Sequence, residues 1–284
     1  MRYILFSAFL LMMSFSSSDK SAYRVFDKDG KISSYKKLLK EAGSADVIFF
    51  GELHNNAISH WLELELSKDL YQLKKEKLVL GAEMFESDGQ NSLNEYLADK
   101  ISEDDLKTKA RTWPNYNTDY KPLVEFAKTS KIPFVASNVP RKYASMVYKH
   151  GMNCLDTLPT SAKAWIAPLP YKYDAELKCY KDIFKAAEGH GGQNLPMSQA
   201  LKDATMSYFI NKNFKAGQCF LHFNGAYHSN DFQGIIWYLK QLNPQLKILT
   251  ISNVEQDNIE GLDKDNLNIA DFIINIPSSM TKTY

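Results

Sequence analysis

Apolar residues along the chain fall into short unbroken runs, separated by stretches in which they recur every three or four positions. The runs lie at 47–50, 77–82, 133–137, 219–223, 247–254 and 270–276. Runs of this length, rich in β-branched and aromatic side chains, suit strands buried on both faces of a parallel sheet. Helical spacing fills the intervals. Residues 34–42 predict a short helix, and Ile58, Trp61, Leu62, Leu64, Leu66, Leu70 and Leu73 predict a long one reaching about residue 75. Residues 87–130 read as helical and polar around a loop at Trp113-Pro114-Asn115-Tyr116-Asn117, and further helices are predicted at 174–187, 197–214 and 235–242. Near the start, 23–26 and 31–33 flank Asp27-Lys28-Asp29-Gly30, a hairpin turn. The alternation predicts a three-layer α/β/α sandwich around a mainly parallel sheet, with a smaller helical insertion. Its α/β core covers about 23–87, 118–150 and 215–284, with helical or lid regions at about 88–117 and 151–214.

Polar residues collect where the runs stop. The first ends in Gly51-Glu52-Leu53-His54-Asn55-Asn56 and the fourth in Asn224-Gly225-Ala226-Tyr227-His228, so two strands each deliver Gly-x-x-His. In open α/β sheets ligands bind outside the carboxyl ends of the strands, which puts both histidines at one cavity. The second run ends in Gly81-Ala82-Glu83-Met84-Phe85-Glu86 and the third in Asn138-Val139-Pro140-Arg141. Candidate residues are therefore Glu52, His54, Glu83, Glu86, Asn138, Arg141, Asn224 and His228. Two chemistries fit them. His54, Glu83 and His228 could hold a divalent transition metal with open positions for water. Alternatively, a histidine oriented by Glu52 or Glu83 acts as general base while Arg141 stabilises developing negative charge. His60 reads as a core or surface residue, and His222, inside a strand, as a satisfied core histidine.

Composition narrows the class. Hydrophobic residues make up 44% and charged residues 24% of 284, ordinary values for a globular protein, and the net charge of +1 suggests no phosphate-neutralising surface for nucleic acid. Residues 1–18 read as an export signal, with Arg2, an apolar stretch and Ser16-Ser17-Ser18. A soluble periplasmic or cell-envelope protein at 19–284 is the expectation. No cysteine ends the apolar stretch, so lipid anchoring is not expected. Of Cys154, Cys179 and Cys219, the last sits in a predicted buried strand, whereas Cys154 and Cys179 could pair in an oxidising compartment. Tyr171, Tyr173 and Tyr180 crowd the insertion.

In order, the stretches at 47–56 and 81–86, Trp113 through Tyr120-Lys121-Pro122, Asn138-Val139-Pro140-Arg141, the segment at 197–206 and Gly225-Ala226-Tyr227-His228 resemble the ChaN-like haem-binding family. The resemblance covers about 23–251. It extends to a larger group with the Tiki and TraB proteins and the erythromycin esterases, whose members share the paired Gly-x-x-His and the glutamate after the second strand. It implies haem as cofactor, a homodimer formed on haem binding, an outer-membrane uptake partner and a role in bacterial iron or haem uptake. It also implies a tyrosine ligand for ferric haem, a hard anionic donor. Tyr116, Tyr120, Tyr171 and Tyr173 form the pool for it, Tyr120 first. The wider group implies the alternative of a Tiki-like hydrolase using Glu52, His54, Glu83, Arg141 and His228.

Overall fold

Seven strands form a single sheet in the computed structural model, which describes residues 20–187, 192 and 194–284. The predicted leader at 1–18 and most of the loop at 188–192 lie outside the described residues. The strands are β1 (Arg24–Asp27), β2 (Val47–Glu52), β3 (Leu78–Glu86), β4 (Phe134–Asn138), β5 (Cys219–Gly225), β6 (Ile248–Gln256) and β7 (Phe272–Pro277), in the order β1-β7-β6-β2-β5-β3-β4. Every pairing is parallel except β1 with β7. The predicted turn at 27–30 is present, with Phe26 bridging Ile32, but β1 finds its main partner in β7, the last strand of the sheet.

Alternation along β2 divides the core. Ile48 and Phe50 pack on one face with α1 (Tyr35–Ala42), α2 (Ala57–Lys74), α3 (Gln90–Leu97), α4 (Glu103–Ala110) and α5 (Lys121–Ser130). Val47 and Phe49 pack on the other face. That side is reached after α6 (Arg141–His150), α7 (Thr160–Lys163) and α8 (Lys178–Ala186), and is built by α9 (Asn194–Asn213) and α10 (Ile235–Leu242) through Met206, Phe209, Ile210, Ile236 and Leu239. Both faces of β2 are covered, which is why its sequence is apolar without alternation. The result is the three-layer sandwich that the sequence predicts. No helix among the described residues is long and apolar enough to cross a membrane.

Helix α2 departs from its predicted face. Trp61 and Leu73 are exposed, while Ser59, His60, Glu63 and Ser67 share the buried side with Leu62, Leu66 and Leu70. Cys154, Cys179 and Cys219 are all free thiols. Asn56 caps α2, its side chain accepting from the backbone N–H groups of Ile58 and Ser59 while donating to Glu255 at 2.6 Å. Asn56→Ala is expected to lower stability by about 1–2 kcal/mol, the usual cost of losing an N-cap. Leu66→Ala, at full burial on the same helix, is expected to cost about 2–5 kcal/mol. Urea unfolding of the two variants checks the ranking.

Candidate functional site

β2 and β5 are hydrogen-bonded neighbours with Glu52 opposite Gly225, so both Gly-x-x-His turns leave the sheet side by side. Two glycines permit this crowding. A Cβ on Gly51 would stand 3.0 Å from the Ala226 backbone, and one on Gly225 would stand 2.8 Å from Nε2 of His54. The backbone of each turn therefore lies against the other turn.

Glu52 is buried at the end of β2. Its Oε1 accepts from His54 Nδ1 at 2.6 Å and from the Tyr120 hydroxyl at 2.7 Å. Those bonds fix the His54 ring, whose edge meets Trp113 at 5.0 Å between centroids. Burial alone would lower the pKa of His54, but the Glu52 hydrogen bond and the charges of Glu83 and Glu52 outweigh it and leave it raised. Glu83, in the irregular end of β3, accepts from the Gly225 N–H at 2.9 Å and pairs with His228 Nε2 at 3.2 Å. The other nitrogen of His228 meets Asp203 at 2.5 Å. With a carboxylate on each ring nitrogen, His228 is held as an imidazolium. Burial opposes that charge, yet Glu83 and Asp203 push its pKa up to about 10. Burial likewise works against the Glu83 carboxylate, and His228 holds it well below the usual range.

The sequence points to Glu52, His54, Glu83 and His228, and the structure brings all four together. They line one cavity of about 350 Å³ with Trp113, Ile183, Gln199, Lys202, Ala226 and Tyr227. Of the three residues read as a metal set, Glu83 and His228 stand 3.2 Å apart, the other nitrogen of His228 is held by Asp203, and His54 is held by Glu52. Arg141 lies elsewhere, in a neighbouring cavity with Glu86, Trp113 and Lys202. Glu86 is paired with Arg111 at 2.7 Å, Asn138 bonds its own chain at the Val139 N–H, and Asn224 locks the turn by donating to Ser229.

The tyrosine pool is largely inside the core. Tyr120 gives its hydroxyl to Glu52, Tyr116 is buried with an unpartnered hydroxyl, and Tyr171 has a buried, unpartnered hydroxyl beside Tyr238. Tyr173 is half-buried and lines a separate cavity with Tyr180 and Phe184. Burial and the nearby Glu52 and Glu63 charges push the Tyr120 pKa far above its ordinary value, against the phenolate a haem iron would need. Two residues escaped sequence reasoning. Asp203, on α9, supplies the second carboxylate to His228 and accepts from Tyr180 at 2.9 Å. Tyr227 stands at the cavity 70% exposed, inside the Gly-Ala-Tyr-His stretch that signalled the site.

Residues 38–239 match the family model described as haem-binding uptake, Tiki superfamily, ChaN. No curated protein matches the chain. Among solved structures, ChaN of Campylobacter jejuni, whose description is cofacial haem binding, is 18% identical with a TM-score of 0.68, over 89% of this chain and 96% of that one. A succinoglycan biosynthesis protein is 11% identical with a TM-score of 0.52, over 90% and 94%. A Bacillus cereus protein is 9% identical with a TM-score of 0.51, over 85% and 90%. At such identities these likenesses establish a shared fold.

The His228 clamp sets a pH dependence. Its folded pKa of about 10 exceeds the ordinary 6.5, so its stabilisation is complete below about 6.5 and disappears as pH rises through about 10. Thermal unfolding of the wild type is expected to fall across that window. His228→Gln is expected to lose that dependence and to cost about 3–5 kcal/mol, since it leaves two buried carboxylates unpaired. Calorimetry between pH 6 and 10 checks both.

Proposed function

Since the chain belongs to the haem-binding uptake family of ChaN in the Tiki superfamily, we propose that it takes ferric haem at the mouth of the cavity over β2 and β5, with Tyr227 as the ligand to iron. One observation carries this reading: Tyr227 presents an exposed side chain at a cavity that also holds His54 and His228. The residues present suit the group. Trp113 and Ile183 offer apolar surface to a porphyrin, and Lys202, which lines both cavities, offers positive charge to its carboxylates. A phenolate favours the ferric state of the iron, which is the chemistry of capture and delivery.

A homodimer on haem binding belongs to the same reading. A volume of about 350 Å³ is at the low end for small-molecule pockets, about 300–1,000 Å³. A porphyrin would therefore lie across the mouth and keep one face uncovered. Phe184 and Phe232, both exposed on segments next to the cavity, add apolar surface for a second copy. Export to the periplasm or envelope and hand-over from an outer-membrane uptake partner complete the proposal, supported by the leader-like residues 1–18 and the family.

Hydrolysis is a second reading, and the Glu52–His54 pair favours it. A buried carboxylate on Nδ1 leaves the other nitrogen of His54 beside the cavity, the arrangement of an oriented general base. Glu83 is committed to His228 and the Gly225 N–H, and Arg141 lies in the next cavity, so Lys202 is the cation placed to meet developing negative charge.

In a titration of ferric haem into the full chain, Tyr227→Phe is expected to remove the tyrosinate absorption band and weaken binding about tenfold or more, about 1.4 kcal/mol. Tyr173→Phe is expected to leave both unchanged. Survival of the band in Tyr227→Phe would place the ligand elsewhere. His54→Ala is expected to abolish any hydrolytic turnover while leaving the haem spectrum in place.

A further inference from the structure

Glu52 also belongs to a second polar cluster, whose other members no step of the proposed function uses. His60 and Glu63 project into it from α2, Glu52 from β2, and Asp119 from a π-helical turn at Tyr116–Tyr120. All four are buried. No lysine or arginine pairs with any of these carboxylates among the described residues. Oε2 of Glu52 and Oε1 of Glu63 are buried without a hydrogen-bond partner. Three carboxylates whose only cationic partners are histidines, with two oxygens unmatched, are short of positive charge.

We propose that Glu52, His60 and Glu63 form a site for a divalent transition ion of the Zn²⁺ or Mn²⁺ type. Their donor atoms all lie within 4.8 Å of one another. His60 Nδ1 stands 3.1 Å from Glu63 Oε2 and 3.7 Å from Glu52 Oε2. Donors on a tetrahedral ion with bonds of about 2.0–2.1 Å are roughly 3.3 Å apart, which these separations bracket. The far side of the ring has the support that ligating histidines use: Nε2 donates to the His54 backbone carbonyl at 3.0 Å, with Asp119 at 3.5 Å. Asp119 is in turn held by Asn115 at 2.7 Å and by Thr283 at 2.9 Å. Single π turns inside helical segments recur at functional sites, and this one delivers both Asp119 and Tyr120. The ion would take the place of the proton on His60 Nδ1 and keep Glu52 anionic. His60 and Glu63 would then act on His54 as positioning residues.

The competing occupant of the cluster is a proton shared by Glu52 and Glu63, and one experiment separates the two. The full-length protein, stripped with a chelator and dialysed, is titrated with Zn²⁺ and separately with Mn²⁺, following Tm and the metal retained after desalting. About one ion per chain and a rise in Tm of about 5 °C or more are expected for at least one of them. Glu63→Gln, which keeps the shape and removes the charge, is expected to weaken retention roughly 100-fold or more. Tyr173→Phe, outside the cluster and in a separate cavity, is expected to retain the ion. Wild-type protein that holds neither ion and shows no change in Tm would overturn the site, as would Glu63→Gln that is as stable as wild type and binds metal equally well. Should Glu63→Gln fail to fold, the wild-type titration decides alone. Haem binding measured on the same samples is independent of either result.

Discussion

Carboxylates buried at the carboxyl edge of the sheet must be matched by donors, and that requirement arranges the elements around the cavity. Glu83 from β3 takes the Gly225 N–H from β5 and one nitrogen of His228, while Asp203 from α9 takes the other. One imidazolium thereby joins the sheet to the helical layer behind it. Tyr180 on α8 extends the chain of contacts through Asp203, so the insertion is tied to the same point. The contrast with His222, on the strand that leads to His228, shows that partners decide the charge. His222 faces Ser137 and Asn224, both neutral, and burial pulls its pKa down to about 4. Its neighbour by six residues, between two carboxylates, is driven the other way.

The parts legible in the sequence are those where burial is uniform or a backbone must pass closely. Strands β2 and β5 are covered on both faces, so apolar composition alone marked them. Gly51 and Gly225 stand where two turns touch, and the Gly-x-x-His pairs followed from that contact. Arg141 illustrates the limit of edge reasoning. It does follow a strand end, but β4 is the outermost strand, three spacings or about 14 Å from β2. Being at the same edge of the sheet does not make two residues neighbours.

The illegible parts are charges buried on helices. Periodicity assigns Glu63 and Asp203 to solvent, because a charged residue normally marks the exposed face. Both are buried, and each is matched by a histidine that is distant in sequence or assigned to packing. The same rule moved Trp61 and Leu73 inward, whereas they are exposed. Tyr227 was overlooked for another reason. A density of tyrosines reflects core packing, and Tyr116 and Tyr120 are part of the core. An exposed side chain at a motif full of buried ones carries no periodic signal at all.

Glu52 couples the two polar groups. Its Oε1 binds His54 and Tyr120, and its Oε2 faces His60. A carboxylate can turn only as a unit, so whatever holds the inner oxygen also sets the outer one. Burial disfavours the charge on Glu52, and the hydrogen bond from His54 restores it, leaving its pKa below the ordinary range. The orientation of His54 at the cavity therefore depends on residues that no ligand touches. The same dependence accounts for a helix face on α2 that carries Ser59, His60 and Glu63 where leucines would pack more stably: its first two turns serve the site as well as the core, and the later turns serve the core.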